Sequence, residues 1–175
     1  MNYKSLLFIL LGTLAIWLGA ILSFPIPGSE VPVSMQTLAV ILAGALLGPV
    51  SGGLAVALYL LAGTLGLPVF AEGRFGIQVL LGPTGGFLFG FLIVGSLSGY
   101  HWHKFQAKKG FFAWIIFFMA HVAILLIGFI WLNIYKGEWT FPAQTLVKLF
   151  PGLVFKTALG GLILYISRRF VELKK

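Results

Sequence analysis

The chain has 175 residues, of which 59% are hydrophobic and only 9% charged, and its mean hydropathy is +1.04. Soluble domains carry about 25% charged residues, so this composition excludes a soluble globular protein and points to an integral membrane protein. The net charge of +8 raises nucleic-acid binding as a reading, and the absence of cysteine removes disulfide and thiol chemistry.

At roughly 20 residues per pass plus short loops, a chain of this length accommodates about five to seven passes. Recurrent glycines among Leu, Ile and Phe runs predict helices rather than a barrel, whose strands would alternate over about ten residues. Behind Lys4, an uncharged run predicts a first helix over 5–22. A positive flank and apolar core also fit a signal peptide. No A-x-A site follows and later segments are as apolar, so a retained helix is expected. Its small residues Gly12, Ala15 and Gly19 share one face, which lets another helix approach closely, from a partner or from within the chain.

Residues 24–33 hold Pro25, Pro27, Pro32 and Glu30. Proline fixes φ and removes a donor, so no helix continues there. Ser34 is expected to cap a second helix over 35–47. Gly48-Pro49 stops it, and a third helix is predicted over 50–65. At 1.5 Å per residue both are short for a hydrocarbon core of about 30 Å. Short segments beside Pro/Gly-rich loops are the sequence pointer to a transporter site.

The stretch 66–87 reads GLPVFAEGRFGIQVLLGPTGGF. It is broken by Pro68, Gly73, Gly76, Gly82, Pro83, Gly85 and Gly86, and carries Glu72, Arg74, Gln78 and Thr84. Irregular backbone at membrane depth is tolerated only where it is buried in protein or lines a cavity. The stretch therefore reads as the wall or lid of a small-molecule site; an ordinary extracellular loop is the plainer reading. A fourth helix is predicted over 86–98, a basic aromatic loop over 100–109, a fifth helix over 111–131 and a sixth over 143–170. Pro151 should kink the last helix or mark an unwound start. The expected fold is all-α: a single membrane domain, 1–175, with six transmembrane helices.

Six passes put both termini on one side. That side holds Lys4, Lys104, Lys108, Lys109, Arg168, Arg169, Lys174 and Lys175, against Arg74, Lys136, Lys148 and Lys156 opposite. Lys and Arg concentrate in cytoplasmic loops, so both termini are expected inside. This accounts for most of the net charge as topology and leaves little reason to invoke nucleic acid. Glu30, Glu72 and Glu138 all fall outside.

Lys156 has no carboxylate within fifteen residues on either side. A lysine in a membrane helix costs about 2.5–3.5 kcal/mol on insertion scales, and such residues default to a site in the bundle interior. Snorkelling to the interface is the alternative. Facing a cavity, it suits an anionic ligand group. Glu72 and Arg74 could pair or gate the cavity. The His101-x-His103 pair is a weak metal signal better read as interfacial anchoring, and His121 could simply bond a carbonyl. There is no G-x-S-x-G, H-E-x-x-H or Walker A sequence and no aspartate. An intramembrane enzyme built on His121 and Glu30 lacks visible parts, and P-loop ATP hydrolysis is excluded. No cofactor or metal is expected. Active transport would take its energy from a partner or an ion gradient.

Residues 32–91 carry a P-V-x-x-Q-T-L-A-V opening that includes Gln36, then L-L-G-P, G-L-P-V-F-A and G-P-T-G-G-aromatic, in that order. This combination closely resembles the BioY family of biotin transporters, the substrate-capture (S) components of energy-coupling factor (ECF) transporters. The resemblance implies six helices and a vitamin site near the extracellular face. It also implies a partner module of one transmembrane subunit and two cytoplasmic ATPases, in a bacterial cytoplasmic membrane. Small residues on the first helix, here Ala15 and Gly19, would meet that subunit. Lys156 matches the lysine of the family's P-G-D-x-x-K motif, but Leu153 stands where the aspartate belongs. On this reading biotin's carboxylate, or a ring oxygen, meets Lys156, and Phe70, Phe75 and Phe87 wall the thiolane and chain. Gln36, Glu72, Arg74, Gly76, Gln78, Thr84 and Gly85 complete the expected site. The rivals are a carrier of another small vitamin or biotin precursor and, in a different class, a membrane scaffold protein.

Overall fold

The computed structural model describes residues 3–105, 111–140 and 142–172, with side chains through 104 and 167 in the first and last of these. Lys108, Lys109, Lys174 and Lys175 of the charge argument lie outside the described residues, and the side chains of Arg168 and Arg169 do too.

Among the described residues there are six long helices and one short one. They are α1 Tyr3–Ile21, α2 Gln36–Leu47, α3 Pro49–Thr64, the five-residue α4 Ile77–Leu81, α5 Gly85–Phe105, α6 Phe112–Lys136 and α7 Ala143–Glu172. The all-α bundle follows from long apolar runs punctuated by Gly and Pro. Three helices are long and apolar enough to cross a membrane, Tyr3–Ile21, Phe112–Lys136 and Ala143–Ser167, while Gln36–Leu47 and Pro49–Thr64 are shorter apolar helices. At 1.5 Å per residue, 12 and 16 residues give about 18 and 24 Å.

Helix α5 is central: it packs on α2, α3 and α6, while α1 lies on α2 and α3, and α7 lies on α6 and α2. Glycine makes the crossing possible. A Cβ on Gly44 would overlap the Gly95 carbonyl and Ser98 Oγ, and one on Gly52 would run into Gly44. Small residues thus bring three backbones into contact without a side chain between them. Gly48, at φ +89°, turns α2 into α3, with Pro49 as the first residue of α3. The core includes Ile16, Val40, Ile41, Val56, Tyr59, Phe117, Ile124 and Leu164.

Several expectations change. Residues 100–105 are not loop, because α5 continues through them to Phe105; nothing from Tyr100 to Phe105 breaks a helix, and Trp102 is buried. Helix α6 runs past 131 to Lys136, where the first breaker, Gly137, takes a left-handed φ of 69° and donates to the Ile134 carbonyl. Helix α7 covers the expected 143–170 with Pro151 inside it, so Pro151 does not mark an unwound start. Ser34 does not cap α2: its Oγ donates instead to Gln36 Oε1, at 3.1 Å. It belongs to an antiparallel ribbon of β1 Ser23–Phe24 and β2 Val33–Ser34, in register Ser23↔Ser34 and Phe24↔Val33. Two residues per strand carry too little pattern to be read in sequence.

Candidate functional site

One cavity is lined by Ser34, Gln36, Thr84, His121 and Lys156, which are buried polar groups of the bundle; buried Ser98 lies outside it. Val31 to Ser34 form one wall, and Gln36 and Thr37 of α2 continue it. The stretch 66–84 supplies Phe70, Ala71, Arg74, Val79 and Thr84, and α5 supplies Phe87, Leu88 and Phe91. His121, Ile124 and Leu125 come from α6, and Leu149, Leu153 and Lys156 from α7. Its volume of about 80 Å³ is small beside the roughly 300–1,000 Å³ of ligand clefts. A ligand that needs a cleft of that usual size enters only if part of the wall moves.

The base of the cavity is a chain of hydrogen bonds. Lys156, 8% exposed, faces the cavity rather than snorkelling. Its Nζ donates to the Ser34 carbonyl at 3.1 Å and to Thr37 Oγ1 at 2.8 Å. Thr37 Oγ1 lies 3.1 Å from His121 Nε2, and His121 Nδ1 lies 3.1 Å from the Phe117 carbonyl. A carbonyl only accepts, so a neutral ring with its hydrogen on Nδ1 fits, and Nε2 then accepts from the Thr37 hydroxyl. Gln36 is committed as well: its Oε1 accepts from Ser34 Oγ and its Nε2 donates to the Tyr59 hydroxyl. Leu153 lies three residues before Lys156, on the same helix face and in the same wall. No carboxylate lines the cavity among the described residues.

The covering segment is held by its own backbone. Phe70 N–H donates to the Arg74 carbonyl at 3.0 Å, and Gly76 N–H donates to the Gly63 carbonyl at 2.7 Å. Phe70 is buried against the bare backbone of Gly63 and stands edge-on to Tyr59, ring centroids 5.6 Å apart. Glu72 adopts a left-handed φ of 62°, and its N–H donates to Ser23 Oγ at 3.0 Å. From α6, Trp131 Nε1 donates to the Gly82 carbonyl at 2.9 Å.

Of the residues singled out in sequence, Lys156, Gln36, Phe70, Arg74, Thr84 and Phe87 share this cavity. Five others do not line it. Phe75 is 51% exposed, and Gln78 is exposed, its Nε2 bonding back to the Phe75 carbonyl. Glu72 is exposed and its Oε2 lies 3.6 Å from Arg74 Nε, so it reaches the cavity only through that arginine. Gly76 makes the turn at φ +90°, and Gly85 leaves room for the Leu80 carbonyl and Trp131. On α1, Ala15 is exposed, but Gly19 is buried against Met35 and Gln36, so its small face serves internal packing. Sequence reasoning missed Ser34 and Thr37, and gave His121 only a carbonyl partner. As the one titratable side chain within 112–131, His121 carried a signal for an interior role.

The sequence model of the BioY family matches residues 1–173. The biotin transporter BioY2 of Lactococcus lactis subsp. cremoris is 43% identical over 138 residues, covering 78% of this chain and 74% of that protein. The biotin transporter BioY of Thermotoga maritima is 44% identical over 104 residues, covering 59% of this chain and 58% of that protein. Among solved structures, the S-component for biotin from an ECF-type ABC transporter superposes with a TM-score of 0.83 at 26% identity, covering 97% of this chain and 95% of the other.

Proposed function

The chain belongs to the BioY family, and from that premise we propose that it captures biotin for high-affinity uptake, as the S component of an ECF transporter. It is a membrane transport protein and not an enzyme. The observation that carries the ligand reading is the cavity: an apolar enclosure with Lys156 at its base and Arg74 at its cover. Such an enclosure suits a small molecule with an apolar body and a polar or anionic group. Biotin, with an aliphatic chain, a thiolane ring, a ureido group and a carboxylate, has that shape.

Access is the second part of the proposal. The segment 66–84 covers the cavity and moves out to admit ligand, then closes on it. The cell is bacterial, the membrane is the cytoplasmic one and both termini lie inside, as the Lys/Arg asymmetry supports. Energy comes from a module of one transmembrane subunit and two ATPases. The exposed edge of α1 that carries Ala15 meets that subunit; Gly19 does not, since its own chain covers it. Ala15→Leu then weakens complex formation and spares ligand binding. Gly19→Leu displaces Gln36 and impairs ligand binding first.

Titration of biotin into the purified chain tests the reading, together with labelled-biotin uptake in cells with and without the module. Saturable nanomolar binding and module-dependent uptake are expected. Tight binding of a different vitamin would reassign the ligand, and no binding of any small molecule would favour a scaffold.

A further inference from the structure

We infer that the groove between the second half of α6 and the first half of α7 is an annex of the ligand site: it takes an aliphatic part of the ligand, and Leu149 yields to admit it. The inference rests on the proposed biotin reading and deepens it. Three observations carry it.

First, the cavity and the groove share a wall. Leu125, Leu149 and Leu153 line both, with about 80 Å³ on one side of them and about 620 Å³ on the other. A leucine partition makes no hydrogen bond and holds no charge. Displacing it costs dispersion contacts alone, and an apolar occupant remakes them.

Second, the lining of the groove selects an aliphatic occupant. Val122, Leu126, Phe129, Leu146 and Phe150 form most of the rest of it, and no charged side chain lines it among the described residues. Its polar groups lie together at the end of α6, where Thr140 N–H donates to Asn133 Oδ1 at 3.4 Å. Burial of methylenes is favourable there, whereas a polar group entering it loses water without gaining partners.

Third, α7 is built to yield at this level. In its second half it is clamped on α6: a Cβ on Gly160 would overlap the Phe117 ring, and one on Gly161 the Trp114 ring. Pro151 lies between that clamp and the start of the helix. It lacks the N–H that would close on the Val147 carbonyl, and its ring crowds that turn. Residues 143–150 therefore lean away from α6 more easily than the clamped half does, and they carry Leu149. Ligand still enters beneath the 66–84 cover; the annex decides how long a ligand fits once inside.

The test titrates biotin and two homologues, with side chains one methylene shorter and one longer, into the purified full-length chain in lipid nanodiscs. A methylene seated in apolar space is worth about fourfold in affinity. Affinity should hold or rise with length, by up to that factor per step. Leu146→Trp and the milder Leu146→Phe fill the groove from a position that does not line the cavity. Both should reverse the order, the longest homologue losing most. Leu149→Ala thins the partition and should steepen the rise. Val147→Trp, on the exposed face of the same turn, should leave the order unchanged. A fall in affinity from biotin to the longer homologue in the unmodified chain overturns the inference while the biotin reading stands. So does an order that both Leu146 variants leave intact. An order that ignores Leu146 and vanishes in lipid-free detergent gives the groove to a bilayer acyl chain and overturns it too. Failure to bind any of the three compounds overturns the biotin reading itself, and this inference with it.

Discussion

Two Pro/Gly-rich segments flank the cavity, 24–33 and 66–84, and they are fastened by different physics. The first has Val31 buried and Phe24 paired with Val33 in the β1–β2 ribbon, and its other ties are exposed polar contacts. Lys136 Nζ meets Glu30 Oε1 at 3.0 Å, both side chains more than 40% exposed, and Lys148 Nζ donates to the Pro27 carbonyl at 2.8 Å. The second is tied by burial: Phe70 fills the space over Gly63, and Trp131 reaches the Gly82 carbonyl. Surface ion pairs contribute about 0–1 kcal/mol, whereas a buried aromatic contributes several. Similar composition thus produces one cover held largely at its exposed edge and one whose closed position is set by burial, and the second also carries Arg74 into the site.

Removing the anchor should have the largest effect. Phe70→Ala is expected to cost about 3–5 kcal/mol, by analogy with other buried Phe→Ala changes, and to abolish ligand binding. A thermal unfolding scan with and without biotin checks both, and an unchanged melting temperature would show that burial does not hold this cover. Trp131→Phe is milder, since it keeps most of the ring and removes one hydrogen bond, worth about 0.5–1.5 kcal/mol. Biotin should then dissociate faster with little change in stability; stopped-flow release from the two proteins tells them apart.

Opening the first segment should cost least. Glu30→Gln, alone or with Lys136→Gln, is expected to change stability by less than about 1 kcal/mol. It should make biotin association insensitive to salt wherever the unmodified chain responds to it, because the pair is exposed and screened. A salt dependence identical in both proteins would remove this pair from ligand entry. The last test has no energetic effect. In a chain without native cysteine, Glu30→Cys and Glu72→Cys should both react with an impermeant reagent added outside, and Gln106→Cys should not. Reaction of Gln106→Cys alone would invert the proposed topology.

The sequence by itself determined the solvent, the helices and the punctuation. Composition made the chain a membrane protein, Gly48-Pro49 placed the α2–α3 turn, and the charge of Lys156 within an apolar helix marked an interior role. These are local properties, legible because insertion energy and backbone φ act residue by residue. The order of motifs from Pro32 to Phe91 also carried the family resemblance. Tertiary structure decided what touches what. It turned Phe75 and Gln78 outward while burying Phe70, used Gly19 for packing against α2, and brought Ser34, Thr37, His121 and Lys156 into one chain of hydrogen bonds. The last two sit 119 and 84 residues from Thr37 along the chain for Lys156 and His121 respectively. No periodicity reports such a pairing; only the packing of α2 between α6 and α7 creates it.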